Sequence, residues 1–170
     1  SKWEAYSTWL TGMALMVLVY YLQADLYLMT NSQNDWSTSH AVLSSLGLIG
    51  ISMGIYEGLI RSALAQREGL FAGLIALLIV LLVWVATWLF PGRAAFIHVG
   101  VILGSIMVGN VYFGIIPAQK TFVSAIKQGI DPDFDVMLAA RHRSFFNNYL
   151  TLPVLLCMVS LHFSTLYQHS

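Results

Sequence analysis

The 170-residue chain has too few charged side chains to form an ordinary water-soluble domain. Hydrophobic residues make up 58% of it and charged residues only 9%, whereas soluble domains carry about 25% charged residues. Eight basic residues balance eight acidic ones, so the chain lacks the basic excess that phosphate contacts require, which excludes nucleic-acid binding. The single cysteine, Cys157, excludes an intramolecular disulfide. The composition therefore predicts an integral membrane protein.

Five apolar stretches are each long enough to cross a bilayer as a helix. A span needs about 20 mostly apolar residues to cross a hydrocarbon core about 30 Å thick. The predicted spans are residues 9–29, 41–60, 70–90, 94–116 and 146–167. They are too long and too continuously apolar for barrel strands. The sequence therefore predicts an all-α transmembrane bundle that forms one domain, residues 1–170.

The basic residues fall mostly on one side of the predicted bundle. Seven of the eight lie on the side of the N terminus, and Arg93 lies on the other. Because basic loops stay in the cytoplasm, we expect a cytoplasmic N terminus and a periplasmic C terminus. The predicted location is a bacterial inner membrane, which the chain crosses several times.

One sizeable loop, residues 118–145, separates the fourth and fifth predicted spans. The fourth span is expected to end at Pro117 and the fifth to begin at Phe146. Between them the pattern predicts a short amphipathic helix that stops at Gly129. A second short helix is expected to end at Arg143, on the cytoplasmic side.

Two histidines inside the spans are the first candidates for chemistry, because ionisable groups are costly in a bilayer. His98 and His162 each lie about 8 Å from the predicted outer surface, on antiparallel spans. Two imidazoles at matching depth can ligate one haem b from its two faces. Arg93 would then contact the propionates, and Asp25 would orient a histidine. The alternative is that each histidine is hydrogen-bonded to a neighbouring helix.

A second pair of ionisable residues lies at the cytoplasmic end of the second span. Glu57 and Arg61 are four residues apart, and this spacing brings their side chains together on one helix face. We expect an ion pair, with a proton relay as the alternative.

Glycines at four-residue spacing occur in the second and fourth spans. This spacing predicts close packing between helices. A glycine face close to His98 is also compatible with a flat macrocycle such as haem. The glycines concerned are Gly50, Gly54, Gly58, Gly100 and Gly104.

The start of the fifth span carries a run that resembles a known family. Residues 143–154 read RSFFNNYLTLPV, which is similar to the membrane domain of bacterial cytochrome c-dependent urate hydroxylases, the N-terminal domain of membrane-bound urate oxidase. Residues 2–6 (KWEAY) and 92–100 (GRAAFIHVG) resemble the same family. The motif residues carried over are Asn147, Asn148, Tyr149 and Pro153.

The resemblance implies an oxidoreductase that converts urate to 5-hydroxyisourate and passes electrons to a c-type cytochrome. It also places His98 and His162 on histidine positions of the family. One position departs from the pattern, because Phe146 stands where the family commonly has histidine.

Three functions are therefore weighed. The first is a membrane-embedded redox module of the urate hydroxylase type that binds haem b. The second is a non-catalytic transmembrane subunit of a larger respiratory or photosynthetic complex, for which Phe146 and the glycine ladders argue. A transporter is the weakest, because no broken-helix pair repeats in two halves. The expected partners are the lipid bilayer, other membrane subunits and a c-type cytochrome.

Overall fold

The computed structural model of the chain describes residues 2–22, 38–90 and 92–160. Short connections aside, these residues are helical, and no strand occurs among them. The predicted all-α class is therefore confirmed. The helices are α1 (Lys2–Met16, continued by the π-helical turn Val17–Tyr21), α2 (Thr38–Arg61), α3 (Glu68–Leu89), α4 (Gly92–Gly109, continued by the π-helical segment Asn110–Ile115), α5 (Ile116–Lys127) and α6 (Phe134–Ser160), with a 3-10 turn at Ala63–Gln66.

Within the described ranges, three helical stretches are long and apolar enough to cross a membrane. They are Ser39–Arg61, Glu68–Leu89 and Ala94–Lys127, and they coincide with the second, third and fourth predicted spans. The first and fifth predicted spans, 9–29 and 146–167, run past the described residues. Their described parts belong to α1 and α6.

Helix α4 lies at the centre of the bundle and packs against α1, α2, α3 and α6. Because lipid tails are as apolar as core side chains, such helices associate through close packing and hydrogen bonds. Small buried residues on neighbouring helices allow this approach, among them Ser45, Ser52 and Ala86. The buried face of α4 and its π-helical continuation consists of Ala94, Ala95, His98, Val99, Ile102, Leu103, Ser105, Ile106 and Asn110.

Aromatic contacts fix the direction of α1 relative to α4. Tyr6 meets the ring of Tyr112 at 5.5 Å, whereas Tyr20 meets the ring of His98 at 6.4 Å. Early residues of α1 thus face late residues of α4, so the two helices are antiparallel. This is the arrangement expected if successive spans cross a membrane in alternate directions.

The sequence predicted that the fourth span ends at Pro117, but the helix continues past this residue. It passes through the π-helical segment and continues as α5 to Lys127. Pro117 lies in the first turn of α5, where a missing backbone N–H is tolerated and the fixed φ of proline suits the helix. The proline therefore begins a new helical stretch instead of breaking the old one.

The first short helix expected in residues 118–145 is part of α5, whereas the second is not separate, because it is continuous with the helix of the predicted fifth span. Helix α6 begins at Phe134 and runs unbroken for 27 residues, with Arg143 inside it. Gly129 does stop α5 as predicted, with a φ of +67°, a left-handed conformation that favours glycine. Helices α5 and α6 therefore form a helical hairpin.

The glycines with four-residue spacing differ in their surroundings. A Cβ atom on Gly100 would lie 3.3 Å from the Cβ of Cys157 on α6, which is the close packing that the spacing predicts. At the other four positions no described atom lies within 4 Å of such a Cβ; they are Gly50, Gly54, Gly58 and Gly104. The described helices therefore do not provide the close partner expected along α2.

Candidate functional site

A polar cluster joins α2, α4 and α6 in the interior of the bundle. It consists of Tyr56, Glu57, Arg61, Asn110, Arg143 and Asn147, and three of its members are almost wholly buried: Tyr56 at 3% exposure, Asn110 at 1% and Arg143 at 9%. A polar group inside a membrane bundle is costly unless it is paired, and its presence is by default a sign of function. This polar cluster is the candidate site.

The charged part of the polar cluster is a carboxylate between two guanidinium groups. Arg143 donates from Nη2 and Nη1 to the two oxygens of Glu57, at 2.8 and 3.0 Å. Arg61 donates from Nε to Oε1 of the same carboxylate at 2.7 Å, so the predicted pair of Glu57 and Arg61 is confirmed. Two positive groups against one negative group leave the polar cluster with a net positive charge.

The neutral part of the polar cluster connects three helices through amide groups. Nη1 of Arg143 also donates to Oδ1 of Asn110 at 3.0 Å. Nδ2 of Asn110 donates to the hydroxyl of Tyr56 at 2.6 Å and to Oδ1 of Asn147 at 2.8 Å. Asn147 in turn donates to the carbonyl of Met107 at 3.1 Å. A network whose members are all satisfied holds its side chains in one arrangement.

The π-helical segment of α4 positions two features of this site. Asn110 is its first residue, and π-helical turns occur frequently at functional sites. Gly114, near its end, allows the side chain of Arg143 to cross the helix. A Cβ atom there would overlap Cδ of Arg143 and lie 2.7 Å from its Nε. Glycine is therefore required at this position for Arg143 to reach Glu57.

Sequence reasoning placed Arg143 in a loop and so missed it as a functional residue. A signal was present, since residues spaced three and four apart from Arg143 form one helix face. That face continues through Phe146, Asn147, Leu150 and Cys157, which are buried or half-buried. Extending the apolar periodicity of the fifth span backwards would have placed Arg143 on the buried face.

His98 lies in a separate buried group near the start of α4. Its Nδ1 donates to the carbonyl of Ala94 at 2.7 Å, so Nε2 of the neutral ring accepts a hydrogen bond from the hydroxyl of Ser45 at 2.6 Å. Tyr21 donates to Ser45 at 2.7 Å. Phe90 stacks on the imidazole, with ring centroids 4.2 Å apart.

These contacts do not fit His98 as an axial haem ligand. Nε2, the nitrogen that would have to face iron, is directed at Ser45, and Phe90 covers one face of the ring. Two of the other three residues assigned to haem, Asp25 and His162, lie outside the described residues. Arg93 lies in the first turn of α4, on the same helix as His98.

The family motif on α6 contributes one residue to the polar cluster. Asn147 points into it, whereas Asn148 and Tyr149 are exposed. Pro153 is half-buried inside the helix. Phe146 is 1% exposed and packs on Phe71 with ring centroids 4.3 Å apart, so the position that departs from the family pattern is part of the apolar core.

One cavity borders the polar cluster, and a second cavity shares part of its lining. The first, here called the polar cavity, has a volume of about 320 Å³, and Tyr56, Glu57, Arg61 and Asn110 form its polar wall. The second, the aromatic cavity, has a volume of about 260 Å³ and lies between α1 and α4. Both cavities share the lining residues Met53, Gly109 and Phe113.

Fold and site together define a helical protein with membrane-length helices and a positively charged polar cluster between three of them. The whole chain, residues 1–170, matches the family described as Urate oxidase N-terminal, and the chain belongs to that family. The resemblance drawn from the sequence is thereby confirmed. No curated protein and no solved structure matched the chain.

The contacts of His98 predict which substitutions it tolerates. His98→Leu leaves the hydroxyl proton of Ser45 without its acceptor and removes the side-chain hydrogen bond to the carbonyl of Ala94, while Ser45 still accepts from Tyr21; we expect a cost of about 1–3 kcal/mol in total. His98→Gln supplies an amide that can hydrogen-bond both groups, so we expect its unfolding temperature in detergent to stay closer to that of the unaltered protein. The same samples give a reduced-minus-oxidised absorbance spectrum. A b-type band lost in both variants would show instead that His98 ligates haem.

Proposed function

We propose that this chain is the membrane-embedded redox module of a urate hydroxylase system in a bacterial inner membrane. In this role it oxidises urate, and the electrons leave to a c-type cytochrome. The observation that supports the proposal most is the polar cluster, which contains Asn147 from the family motif on a chain that belongs to the urate oxidase N-terminal family.

The reaction that this proposal assigns balances with water as the oxygen donor. The urate monoanion and one water molecule give 5-hydroxyisourate, one proton and two electrons. A new bond forms between carbon 5 of the purine and the water oxygen. Two ferric c-type cytochromes each accept one electron and become ferrous. The chain's own residues bind and orient the substrate in this scheme.

The charge and burial of the polar cluster suit an anionic substrate. Arg143 is held by Glu57 and Asn110, so its position is fixed before any ligand arrives. Arg61 supplies the second positive group and is mostly exposed, with 72% of its side chain accessible. Arg61 and Tyr56 line the polar cavity, and Arg143 adds positive charge next to it through its contact with Glu57, so an anion in the cavity is attracted electrostatically.

The two adjacent asparagines of the motif provide a matched test. Asn147→Ala removes the acceptor of one Asn110 amide hydrogen and frees the Met107 carbonyl, so we expect kcat/KM for urate to fall about ten- to a hundredfold. Asn148→Ala changes an exposed neighbour on the same helix and should leave kcat/KM near its original value. The assay is urate-dependent reduction of cytochrome c by membranes that contain equal amounts of each folded variant.

Two controls make this test specific. Unfolding temperatures in detergent show whether Asn147→Ala acts through stability alone. The unaltered protein must reduce cytochrome c only when urate is present. If it does not, the redox role is wrong; if both asparagine variants behave alike, the polar cluster is not where the motif acts.

One observation favours the alternative of a non-catalytic subunit in a larger membrane complex. Gly50 and Gly58 on α2 are exposed, and no described atom lies within 4 Å of a Cβ placed on either. Small residues at this spacing let another helix approach closely. Purification in mild detergent of a larger assembly without urate-dependent electron transfer would support this alternative over the redox module.

A further inference from the structure

The polar cavity has the size and the chemical lining of a small-molecule site. Its volume of about 320 Å³ falls within the roughly 300–1,000 Å³ range of ligand pockets. Tyr56, Glu57, Arg61 and Asn110 contribute polar groups to its lining, and Met53, Ile106 and Phe113 contribute apolar ones. A ligand here would contact polar groups along one edge and an aromatic ring on its face.

The polar wall presents hydrogen-bond donors. The hydroxyl of Tyr56 accepts a bond from Asn110, and its own proton has no recorded acceptor among residues 2–22, 38–90 and 92–160. Arg61 uses one of its five N–H groups on Glu57. The wall carries one positive and one negative group, and Arg143, which pairs with Glu57, adds a second positive charge next to it. Donors on the wall and this added charge favour an acceptor-rich anion.

We infer that the polar cavity binds a planar oxopurine anion, with its carbonyl edge on Tyr56 and Arg61 and its ring face against Phe113. This inference rests on the proposed function and adds the place and the orientation of the substrate. The aromatic cavity shares Met53, Gly109 and Phe113 with the polar cavity. Its apolar lining gives a hydrophobic surface beside the flat ring of the ligand.

Gly54 keeps the polar cavity open. It lines the cavity, and a Cβ at this position would meet no described atom within 4 Å. A larger side chain at Gly54 would therefore occupy ligand space without striking the protein. Gly50 lies one turn away on the same face of α2, is equally open, and lines neither described cavity.

These two glycines give a matched pair of variants for a binding experiment. We expect Gly54→Leu to abolish binding of labelled urate in equilibrium dialysis, while Gly50→Leu binds as the unaltered protein does. Both substitutions change helix propensity in the same way, so equal unfolding temperatures show that the difference arises in the cavity. Arg61→Gln should weaken binding by about tenfold, through the loss of a charge-assisted hydrogen bond.

The outcomes separate this inference from the proposed function. If Gly54→Leu binds urate normally and still reduces cytochrome c with urate, the site lies elsewhere and the redox role stands. If the unaltered protein binds urate and only Gly54→Leu loses it, but no cytochrome is reduced, the cavity assignment stands and the redox role is wrong. If the unaltered protein neither binds urate nor reduces cytochrome, both are overturned.

Discussion

Replacing Arg143 by alanine is expected to lower the free energy of unfolding by about 3 kcal/mol and to abolish urate oxidation. The substitution removes the bidentate ion pair between Arg143 and Glu57, and it leaves Oδ1 of Asn110 without the donor Nη1. Breaking one side of a largely buried ion pair costs more than the pair contributes, even though Arg61 still compensates part of the Glu57 charge. Unfolding of the purified protein in detergent and the cytochrome assay measure the two effects.

A double variant tests whether the loss arises from the pair itself. Arg143→Met combined with Glu57→Gln removes both charges together, so we expect it to be more stable than Arg143→Ala. Arg143→Lys keeps the charge but cannot donate to both carboxylate oxygens in the same planar geometry, and it should recover only part of the stability. If the effects of the two single changes simply add, Arg143 and Glu57 are not coupled.

Gly114→Ala is expected to reproduce much of the loss seen with Arg143→Ala, although it removes no polar group. The added methyl group would occupy the path of the Arg143 side chain at Cδ and Nε, so the arginine has to leave its position. Overpacking of this kind costs about 1–3 kcal/mol, and the displaced guanidinium no longer holds Glu57. Unfolding in detergent and urate-dependent cytochrome reduction give the two measurements.

Gly104→Ala on the same helix is the control for this prediction. No described atom lies within 4 Å of a Cβ at Gly104, and alanine favours a helix over glycine by about 1 kcal/mol. We expect this variant to be as stable as the unaltered protein or slightly more so.

A double variant tests whether Gly114 acts through Arg143. Adding Gly114→Ala to Arg143→Ala should cost little further stability, because the side chain that the methyl group would displace is already absent. A full additional loss would mean that Gly114 does not act through Arg143.

The sequence was sufficient to predict the elements that depend on apolar runs and local spacing. The second, third and fourth spans follow from hydrophobic length, and the pair of Glu57 and Arg61 follows from four-residue spacing on one helix. Gly129 was recognised as the end of α5 because a helix that ends there requires a residue able to adopt positive φ. Each of these features depends on neighbours that are close in the chain.

The features that the sequence did not reveal depend on contacts between helices. Pro117 was read as a terminator, but the π-helical segment before it lets the helix continue. Which face of α4 carries His98 is decided by packing, and the structure pairs it with Ser45 on α2. Arg143 was counted as a loop charge for orientation, whereas its partner Glu57 lies 86 residues away in the chain. Local patterns carry no information on such pairs.

The helix that crosses the bundle between Ala94 and Lys127 is 34 residues long, which corresponds to about 50 Å at the rise of an α-helix. A hydrocarbon core is about 30 Å thick, so this helical rod is longer by roughly 20 Å than a perpendicular crossing would need. Asn110 sits on this rod, and Arg143 sits on the returning arm of the same hairpin. Arg143 donates a hydrogen bond to Asn110, so the two arms of the hairpin are joined inside the bundle as well as by the turn that Gly129 forms.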